Sequence, residues 1–488
     1  MDRTQNAAKS CLSCLPPLPY IGAMTDFSEL LKADSGQPAR SIQLVDGNSF
    51  TEWLKAQPER ARTAVSAQKF SGKGYEYAIL PGDRADEWSV VSGVANVDSL
   101  SSWCLAKLAE ALPAGTYRLS ERRPGPAMLG WLTAQYGFER YRRDDTPIGA
   151  RVLLTDDVRR IEPAILLAEA VAMVRDMVNT PAADMGPPHL EEAAGAIASA
   201  YGARMDVTQG DALATGYPMI HAVGRAADRA FAPRLIELTW GDPKHPKIAI
   251  VGKGVCFDSG GLDIKPSAGM RIMKKDMGGA AHALALAKLV MASRLPVHLH
   301  VLVPAVENAI SGNAFRPGDV LATRKGLTVE IGNTDAEGRL VLGDALTKAV
   351  EDSPELILDF ATLTGAARVA LGPDLPALFS NDEPMAQALI QAGTDADDPL
   401  WRLPLWGAYG DMLKSDIADV NNAGEGGFAG SITAALFLQK FVADTIAWAH
   451  FDTFAWRPSA KPGRPKGGDA LGLRAAFAML QARYGREA

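Results

Sequence analysis

Charged residues gather in three short segments in the second half of the chain, and each segment also contains glycine. The segments read VGKGVCFDSGGLDIKPS, RIMKKDMGGAA and EIGNTDAEGRL. Four of their acidic side chains lie beside glycines, Asp258, Asp276, Asp335 and Glu337. Four carboxylates brought together repel one another strongly unless cations neutralise them. The pattern therefore predicts a site for two metal ions, which would suit hydrolysis by a metal-bridged water.

The same segments supply cationic side chains that need a role beside the acids. Lys265 could polarise a carbonyl oxygen. Arg339 presents a planar fork that matches a carboxylate or a carbonate. A charged ammonium cannot bind a metal, so Lys253 would be a ligand only with a strongly lowered pKa. Oxygen-rich sites suit Mg and Mn, whereas Zn accepts carboxylates but prefers nitrogen or sulfur.

Each of these residues also has an ordinary structural interpretation. Asp276 and Asp335 each precede a helix and could cap it, and Lys253 could be a solvated loop lysine. The glycines beside the acids favour one shared centre, because glycine allows backbones to approach closely. The seven histidines form no His-x-x-x-His pair, which favours a carboxylate site over a histidine-rich one.

Strand-like and helix-like segments alternate around the charged residues. The strand candidates are RLIELTW, KIAIVGKGVCF, VHLHVLVPA, ELILDFATLTG and IAWAHFDTF, and the helix candidates are GGAAHALALAKLVMASR and LVLGDALTKAVED. This alternation predicts a mostly parallel sheet with helices on both faces. Ligands bind at the carboxyl ends of strands in such a sheet, which is where the charged segments fall.

The length of 488 residues predicts more than one domain. We expect an α/β fold in two parts, a smaller N-terminal α/β domain and a larger C-terminal domain with a mostly parallel mixed sheet flanked by helices. The expected limits are a flexible tail over 1–24, the N-terminal domain over 25–160, a linker helix over 161–180 and the larger catalytic domain over 181–488.

The composition, with 47% hydrophobic and 22% charged residues, is typical of a soluble globular protein. No apolar run reaches the roughly 18 residues that a membrane helix needs. The four cysteines are too few and too scattered for a disulfide framework, so we expect a cytoplasmic protein. The net charge of −7 gives no reason to expect nucleic-acid binding.

The segment NTDAEGRL at 333–340 resembles the signature of the leucyl aminopeptidase (cytosol aminopeptidase) family of dinuclear metallopeptidases, peptidase family M17. The patterns VGKG-x3-DSGG-x3-KPS and MKKDMGGAA are similar to the family's other metal segments in order and spacing. The resemblance covers the second domain and hardly extends to the first. It implies a metal-dependent aminopeptidase that acts on short peptides, and a homohexamer with the catalytic domains at its centre.

The resemblance also implies the ligands of the two ions. Asp258 and Glu337 would bridge the ions, Lys253 and Asp276 would complete the tighter site, and Asp335 would complete the more exchangeable one. The ions would be Mn or Zn, with Mg and Co as alternatives. One of them would bind the free α-amine of the substrate, which would explain selectivity for the N-terminal residue.

Two further groups follow from the resemblance. Lys265 would stabilise the tetrahedral intermediate, and Arg339 would hold a bicarbonate ion that acts as general base on the bridging water. The remaining positions would form the substrate pocket: Met273, Asn333, Thr362, Leu363 and Gly365.

One segment departs from the family pattern. After AHFD, where many members have small residues that line the side-chain pocket, this chain reads TFAWR. Phe454 therefore either fills part of the substrate pocket or faces the core. A methylene-scale change in a pocket shifts substrate preference by about 10–200-fold, so the preferred N-terminal residue does not follow from the resemblance.

Two alternative functions remain open at this point. Some family members have a second role in DNA binding or regulation, although no recognisable DNA-reading motif is present here. An unselective dipeptidase with the same metals would differ only in the length of its substrates.

Overall fold

Two sheets organise the computed structural model, which describes residues 25–84, 86–142, 149–424 and 426–485. The predicted tail over 1–24 lies outside the described residues. The smaller unit contains the strands β1 (Leu31–Ala33), β2 (Arg40–Val45), β3 (Tyr77–Pro81), β4 (Trp88–Gly93), β5 (Gly115–Leu119) and β6 (Arg151–Thr155). Its helices are α1 (Phe50–Ala56), α2 (Glu59–Ala67), α3 (Ala106–Ala111) and α4 (Ala127–Thr133).

The strands of the smaller unit form one sheet in the order β1-β6-β5-β2-β4-β3. Neighbouring strands are parallel except β3 and β4, which are antiparallel at one edge. A long helix, α5 (Ile161–Asn179), follows this sheet. Ala168 and Ala172 on α5 pack into the core of the smaller unit, and Val171 and Val174 pack into the core of the larger one. The helix therefore faces both cores.

The larger unit carries the remaining elements. Its strands are β7 (Arg204–Gln209), β8 (Arg234–Trp240), β9 (Lys247–Gly252), β10 (Gly254–Asp258), β11 (His298–Asn308), β12 (Val320–Ala322), β13 (Thr328–Glu330), β14 (Leu356–Ala361), β15 (Ala377–Ser380), β16 (Trp401–Arg402), β17 (Val420–Asn421), β18 (Ala447–Asp452), β19 (Trp456–Arg457) and β20 (Gly467–Gly468). Its helices are α6 (Pro187–Tyr201), α7 (Gly210–Gly216), α8 (Pro218–Gly224), α9 (Ser267–Met270), α10 (Gly278–Ala292), α11 (Gly338–Glu351), α12 (Gly365–Leu371), α13 (Glu383–Asp395), α14 (Gly430–Gln439) and α15 (Leu473–Tyr484).

The principal sheet of the larger unit has the order β16-β15-β18-β14-β9-β11-β8-β7, and β10 also pairs with β11. The central strands β18, β14, β9 and β11 are parallel to one another. Antiparallel pairs occur where β15 joins β18 and where β8 joins β11 and β7. The prediction of a mostly parallel mixed sheet is therefore confirmed.

Helices cover both faces of this sheet, as the sequence predicts. One core packs α5, α6, α10 and α15 against the sheet, and the other packs α8, α11 and α14 against the opposite face. Every residue of α10 is buried, and apart from His282 and Lys288 its sequence is apolar, as expected for a helix covered on all sides. Among the described residues, no helix is both long and apolar enough to cross a bilayer.

A buried carboxylate holds α11 against its neighbours. Asp344 on α11 is fully buried. Its Oδ2 accepts hydrogen bonds from the backbone N–H groups of Met219 at 2.8 Å and Ile220 at 3.4 Å, both in the first turn of α8. Its Oδ1 accepts the N–H of Arg324 at 2.8 Å. The side chain thus caps α8 from a different helix.

Replacing Asp344 by alanine should leave these three buried N–H groups without partners. At about 1–3 kcal/mol for each orphaned donor, the free energy of unfolding should fall by more than about 3 kcal/mol. Urea denaturation would measure the change. Glu351→Ala is a matched control, because Glu351 is on the same helix but is partly exposed and pairs with the Arg324 side chain. Glu351→Ala should lower the free energy of unfolding by about 1 kcal/mol or less. Equal decreases in both variants would contradict the capping role of Asp344.

Candidate metal centre

The charged segments meet at the carboxyl ends of the parallel strands. Lys253 follows β9, Asp258 ends β10, Thr362 follows β14, and Phe454 lies two residues beyond β18. All thirteen predicted site residues line a single cavity of about 600 Å³. Asp276 lies just before α10, and Glu337 is adjacent to the start of α11. The cavity therefore lies at the carboxyl ends of the parallel strands, where ligands bind in sheets of this kind.

Backbone contacts fix Lys253 at the bottom of this cavity. Its N–H donates to the carbonyl of Phe360 on β14 at 2.9 Å, and its own carbonyl accepts from Ala280 on α10 at 2.8 Å. The side chain passes directly over Gly338, where an added Cβ would lie 2.6 Å from the Lys253 Nζ. A glycine is needed at this position because any side chain would collide with the lysine.

The ammonium group of Lys253 lies between two carboxylates. Its Nζ is 2.5 Å from Asp276 Oδ2 and 2.9 Å from Glu337 Oε1, and all three side chains are about 2% exposed. Asp276 also interacts with the buried Lys275, whose Nζ lies 2.8 Å from Oδ1. The hydroxyl of Thr362 donates to the same Oδ1 at 2.8 Å. The geometry therefore places one cationic centre between Asp276 and Glu337.

A second cationic group has a similar arrangement nearby. Lys265 Nζ is 2.8 Å from Asp258 Oδ2 and also pairs with Asp335 Oδ1. Asp258 Oδ1 is held by two donors at 2.9 Å, the Asn308 side chain and the N–H of Gly260. These hydrogen bonds orient Asp258, so that its second oxygen points to the cationic group.

Three of the acids converge closely enough to share an ion. Asp258, Asp335 and Glu337 each offer an oxygen, and these oxygens lie within 4.8 Å of one another. Apart from the lysine ion pairs, buried carboxylate oxygens in this group have no hydrogen-bond partner, namely Asp276 Oδ2, Asp335 Oδ1 and Glu337 Oε2. Buried polar atoms are rarely left unpaired without a reason. Such carboxylate oxygens around two lysine ammonium groups fit a site for divalent cations.

The pKa values of the acids also indicate that cations are needed. Burial, together with the charge of Asp258, raises the pKa of Asp335 to about 6 and that of Glu337 to about 8. Burial lowers the pKa of Arg339 to about 10. Burial opposes the charge on Lys253, but the neighbouring carboxylates outweigh it and raise its pKa. Glu337 therefore holds its proton at neutral pH unless more positive charge is bound. Burial opposes the charge on Asp276, but the neighbouring Lys253 and Lys275 outweigh it and lower the pKa of that carboxyl.

Arg339 is buried beside the acidic group, at the start of α11. Its Nη1 donates to the carbonyl of Asn422 at 2.6 Å, while its Nε is buried without a hydrogen-bond partner. Asn422 also bonds to the loop before α11, because its Oδ1 accepts from Gly332 at 2.8 Å and its amide donates to the Asn333 carbonyl at 2.8 Å. An unpaired N–H of a buried guanidinium fits a small anion.

The predicted substrate positions form the other walls of the cavity. Met273, Asn333, Thr362, Leu363 and Gly365 all line it. The N–H groups of Leu363 and Thr364 donate to Asp452 at 3.0 and 3.1 Å, which fixes the loop after β14.

Phe454 lines the cavity and is only partly buried, so the pocket position fits the geometry better than the core position. The next residue, Ala455, adopts a left-handed conformation with φ of 51°. Its methyl group would lie 2.5 Å from a Cβ added to Gly278. Asp469 holds this turn, because its backbone N–H donates to the Ala455 carbonyl at 3.1 Å. The Asp469 carboxylate pairs with Arg457 at 2.8 Å and with Arg175 of α5 at 3.1 Å.

Several residues of the site were not predicted from the sequence. Asn308 orients Asp258, Asn422 bonds to Arg339, and Lys275 pairs with Asp276. Arg368 lines the cavity beside Phe454. The predicted strand VHLHVLVPA stopped short of Asn308, and extending it by three residues would have placed this polar side chain at a strand end.

Known proteins share this fold and these segments. The family model of the cytosol aminopeptidase catalytic domain matches residues 172–477, and that of the M17 aminopeptidase N-terminal domain matches residues 41–155. The second match extends the relationship to the first unit, where the motifs alone showed little resemblance. A probable cytosol aminopeptidase of Syntrophotalea carbinolica is 42% identical over 369 residues, which cover 72% of this chain and 73% of that protein.

Solved structures agree with the sequence comparison. The crystal structure of cytosol aminopeptidase from Coxiella burnetii is 46% identical with a TM-score of 0.88, and the match covers 93% of this chain and 99% of that one. The bottromycin maturation enzyme BotP in complex with Mn is 31% identical with a TM-score of 0.82, and the match covers 92% and 100% of the two chains. The chain thus belongs to the cytosol aminopeptidase family, peptidase family M17, and is a metal-dependent exopeptidase of the leucyl aminopeptidase type.

Proposed function

We propose that this enzyme removes the N-terminal residue from short peptides with the help of two divalent cations held in the cavity. The observation that carries this proposal is the pair of lysine ammonium groups, each between two carboxylates, beside the buried Glu337 Oε2, which has no hydrogen-bond partner. Positive charge is thus already concentrated at two neighbouring points of the acidic group.

The acids would divide between the two ions according to their positions. Asp258 and Glu337 would be shared, since their oxygens belong to the close group with Asp335. Asp276 and Lys253 would complete one site, and Asp335 would complete the other. Lys253 would have to lose its proton, and bound cations would favour this loss because they reverse the local charge.

The ions would be Mn or Zn, with Mg and Co as further candidates. The related enzyme BotP forms a complex with Mn, which supports Mn, as does the oxygen-rich set of ligands. When bound, the ions supply a Lewis acid for the peptide carbonyl and lower the pKa of water.

Lys265 and Arg339 would act on the reacting peptide from positions beside the acids. Lys265 is partly buried with a side-chain exposure of 15%, so its ammonium could donate a hydrogen bond to the carbonyl oxygen as negative charge develops there. Arg339 would use its unpaired Nε–H to hold a bicarbonate ion, which supplies a general base when bound.

The substrate would place a single residue before the cleaved bond in this cavity. The walls formed by Met273, Thr362, Gly365 and Phe454 would receive the side chain of that residue, while Asn333 and Leu363 would contact its backbone. We also propose that the enzyme assembles as a homohexamer, the arrangement implied by its resemblance to the family.

Removing the metals should abolish activity reversibly. Protein treated with a chelator and dialysed should lose more than about 99% of its turnover of leucine p-nitroanilide, because the acids cannot activate water without cations. Adding Mn, Zn, Mg or Co separately should restore activity, and the extent of recovery would rank the metals. Elemental analysis should find two ions per chain in the active form.

The control is an N-acetylated substrate, which should not be cleaved because its N-terminus is blocked. Cleavage of the blocked peptide, or full activity in chelator, would contradict the proposal. Comparing Leu-Gly with longer peptides would show whether the enzyme is restricted to dipeptides.

A further inference from the structure

An arginine that the proposed mechanism does not use lies in the wall of the cavity. Arg368 is on α12, the short helix that follows β14, and lines the cavity together with Phe454. Its guanidinium carbon lies 4.8 Å from the centre of the Phe454 ring. A Cβ added to Gly365 would lie 3.6 Å from Arg368 Nη2. The guanidinium thus lies between two positions of the predicted side-chain pocket.

This arginine differs from the other cations of the cavity because its side chain has neither a carboxylate nor a carbonyl partner among the described residues. Lys253, Lys265 and Lys275 each pair with a carboxylate, and Arg339 donates to a backbone carbonyl. Within the described part of the chain, the Arg368 side chain forms its ring contact with Phe454 but neither a hydrogen bond nor an ion pair. Its donors are therefore free to bind a group that enters the cavity.

The ring contact also determines how the arginine can bind a ligand. A guanidinium that stacks on an aromatic face is held in place by the ring, and its N–H groups point outward in the plane of the fork. This plane matches the two oxygens of a carboxylate. Phe454 lines the cavity at the same point.

We propose that Arg368 is a specificity-determining residue that binds a carboxylate of the substrate. The positions of Gly365 and Phe454 favour the side-chain carboxylate of an N-terminal aspartate or glutamate. The C-terminal carboxylate of a dipeptide is the other source of the same group. The inference rests on the proposed aminopeptidase function, because it assumes that the substrate's N-terminal residue occupies this cavity.

Anilide substrates separate the two sources because they have no C-terminal carboxylate. The ratio of kcat/KM for glutamyl over glutaminyl p-nitroanilide should exceed 1 in the unaltered enzyme and fall by about 10–100-fold in Arg368→Met. Arg368→Glu should invert the charge preference, so that the lysyl anilide becomes better than the glutamyl anilide. Arg402→Met is the matched control, since Arg402 pairs with Glu383 and lies outside the cavity lining. That variant should leave the ratio unchanged.

Leu-Gly and Leu-glycinamide test the second source. A loss in Arg368→Met that is confined to Leu-Gly would assign Arg368 to the C-terminal carboxylate and so still support carboxylate binding. Equal changes for all anilides and for both dipeptides, with turnover of the leucyl anilide retained, would overturn the inference and leave the proposed function intact.

A binding measurement decides the inference even without turnover. Calorimetric titration of the metal-loaded protein with glutamate and with glutamine should show tighter binding of glutamate, and Arg368→Met should remove the difference. If the unaltered protein cleaves no peptide with any of the four metals, the proposed function fails. The glutamate titration would then still test Arg368, and equal affinities for the two amino acids would overturn its role.

Discussion

Asp335→Asn is expected to lower kcat/KM for leucine p-nitroanilide by at least about 10³-fold. The change keeps the size of the side chain but removes one negative charge from the close group of Asp258, Asp335 and Glu337. One of the two cations should therefore bind much more weakly. The side chain is 32% exposed and pairs with Lys265 inside the cavity, so the fold should lose little stability.

Three measurements together test this prediction. Elemental analysis should show fewer than two ions per chain in Asp335→Asn, steady-state kinetics should show the loss of activity, and thermal unfolding should show a similar midpoint for the metal-free proteins. Asp416→Asn removes an exposed carboxylate from a loop of the same unit and should change none of the three. Normal turnover by Asp335→Asn would rule out its assignment as a ligand.

Lys265→Met is expected to lower kcat by about 10²–10³-fold while KM changes little. Methionine keeps the length of the side chain but cannot donate a hydrogen bond to a developing oxyanion. The Lys265 Nζ lies 2.8 Å from Asp258 Oδ2, so removing this charge leaves the acids more negative. The variant should therefore hold its metal ions at least as tightly as the unaltered enzyme.

Retained metal separates this variant from Asp335→Asn, in which the loss of activity accompanies a loss of metal. Lys414→Met, at an exposed lysine paired with Asp411, serves as the control and should keep its full kcat. If Lys265→Met loses activity only because it loses metal, Lys265 supports the structure of the site and does not act on the substrate.

The parallel sheet follows from sequence because each strand and helix has its own local apolar pattern. Tertiary contacts changed where individual strands and helices begin and end. The segment KIAIVGKGVCF was predicted as one strand but forms β9 and β10, which separate at Lys253. The segment SSWCLAKLAEAL at 101–112 has apolar residues at helical spacing, but only Ala106–Ala111 forms a helix, α3. The backbone of Ser102 bonds instead to Gly130 and to the Asp397 carboxylate.

The acidic residues and Arg339 could be identified from sequence because they occur in three contiguous segments with glycines beside them. The residues that hold them in place could not be found in this way. Asn308 is 50 positions from Asp258, and Asn422 is 83 positions from Arg339. No local pattern encodes such pairs, since folding alone brings their strands and loops to one edge of the sheet.

The sequence by itself determined the reaction class and the acids that would hold the metals, because charge and chemical type are properties of the residues. Only the tertiary structure decided how the cavity is shaped. It placed Phe454 in the cavity wall by means of the left-handed turn at Ala455. It also placed Arg368 beside that ring without an anionic partner among the described residues. Substrate preference depends on such distances, which are fixed by the packing of α12 and the loop after β18.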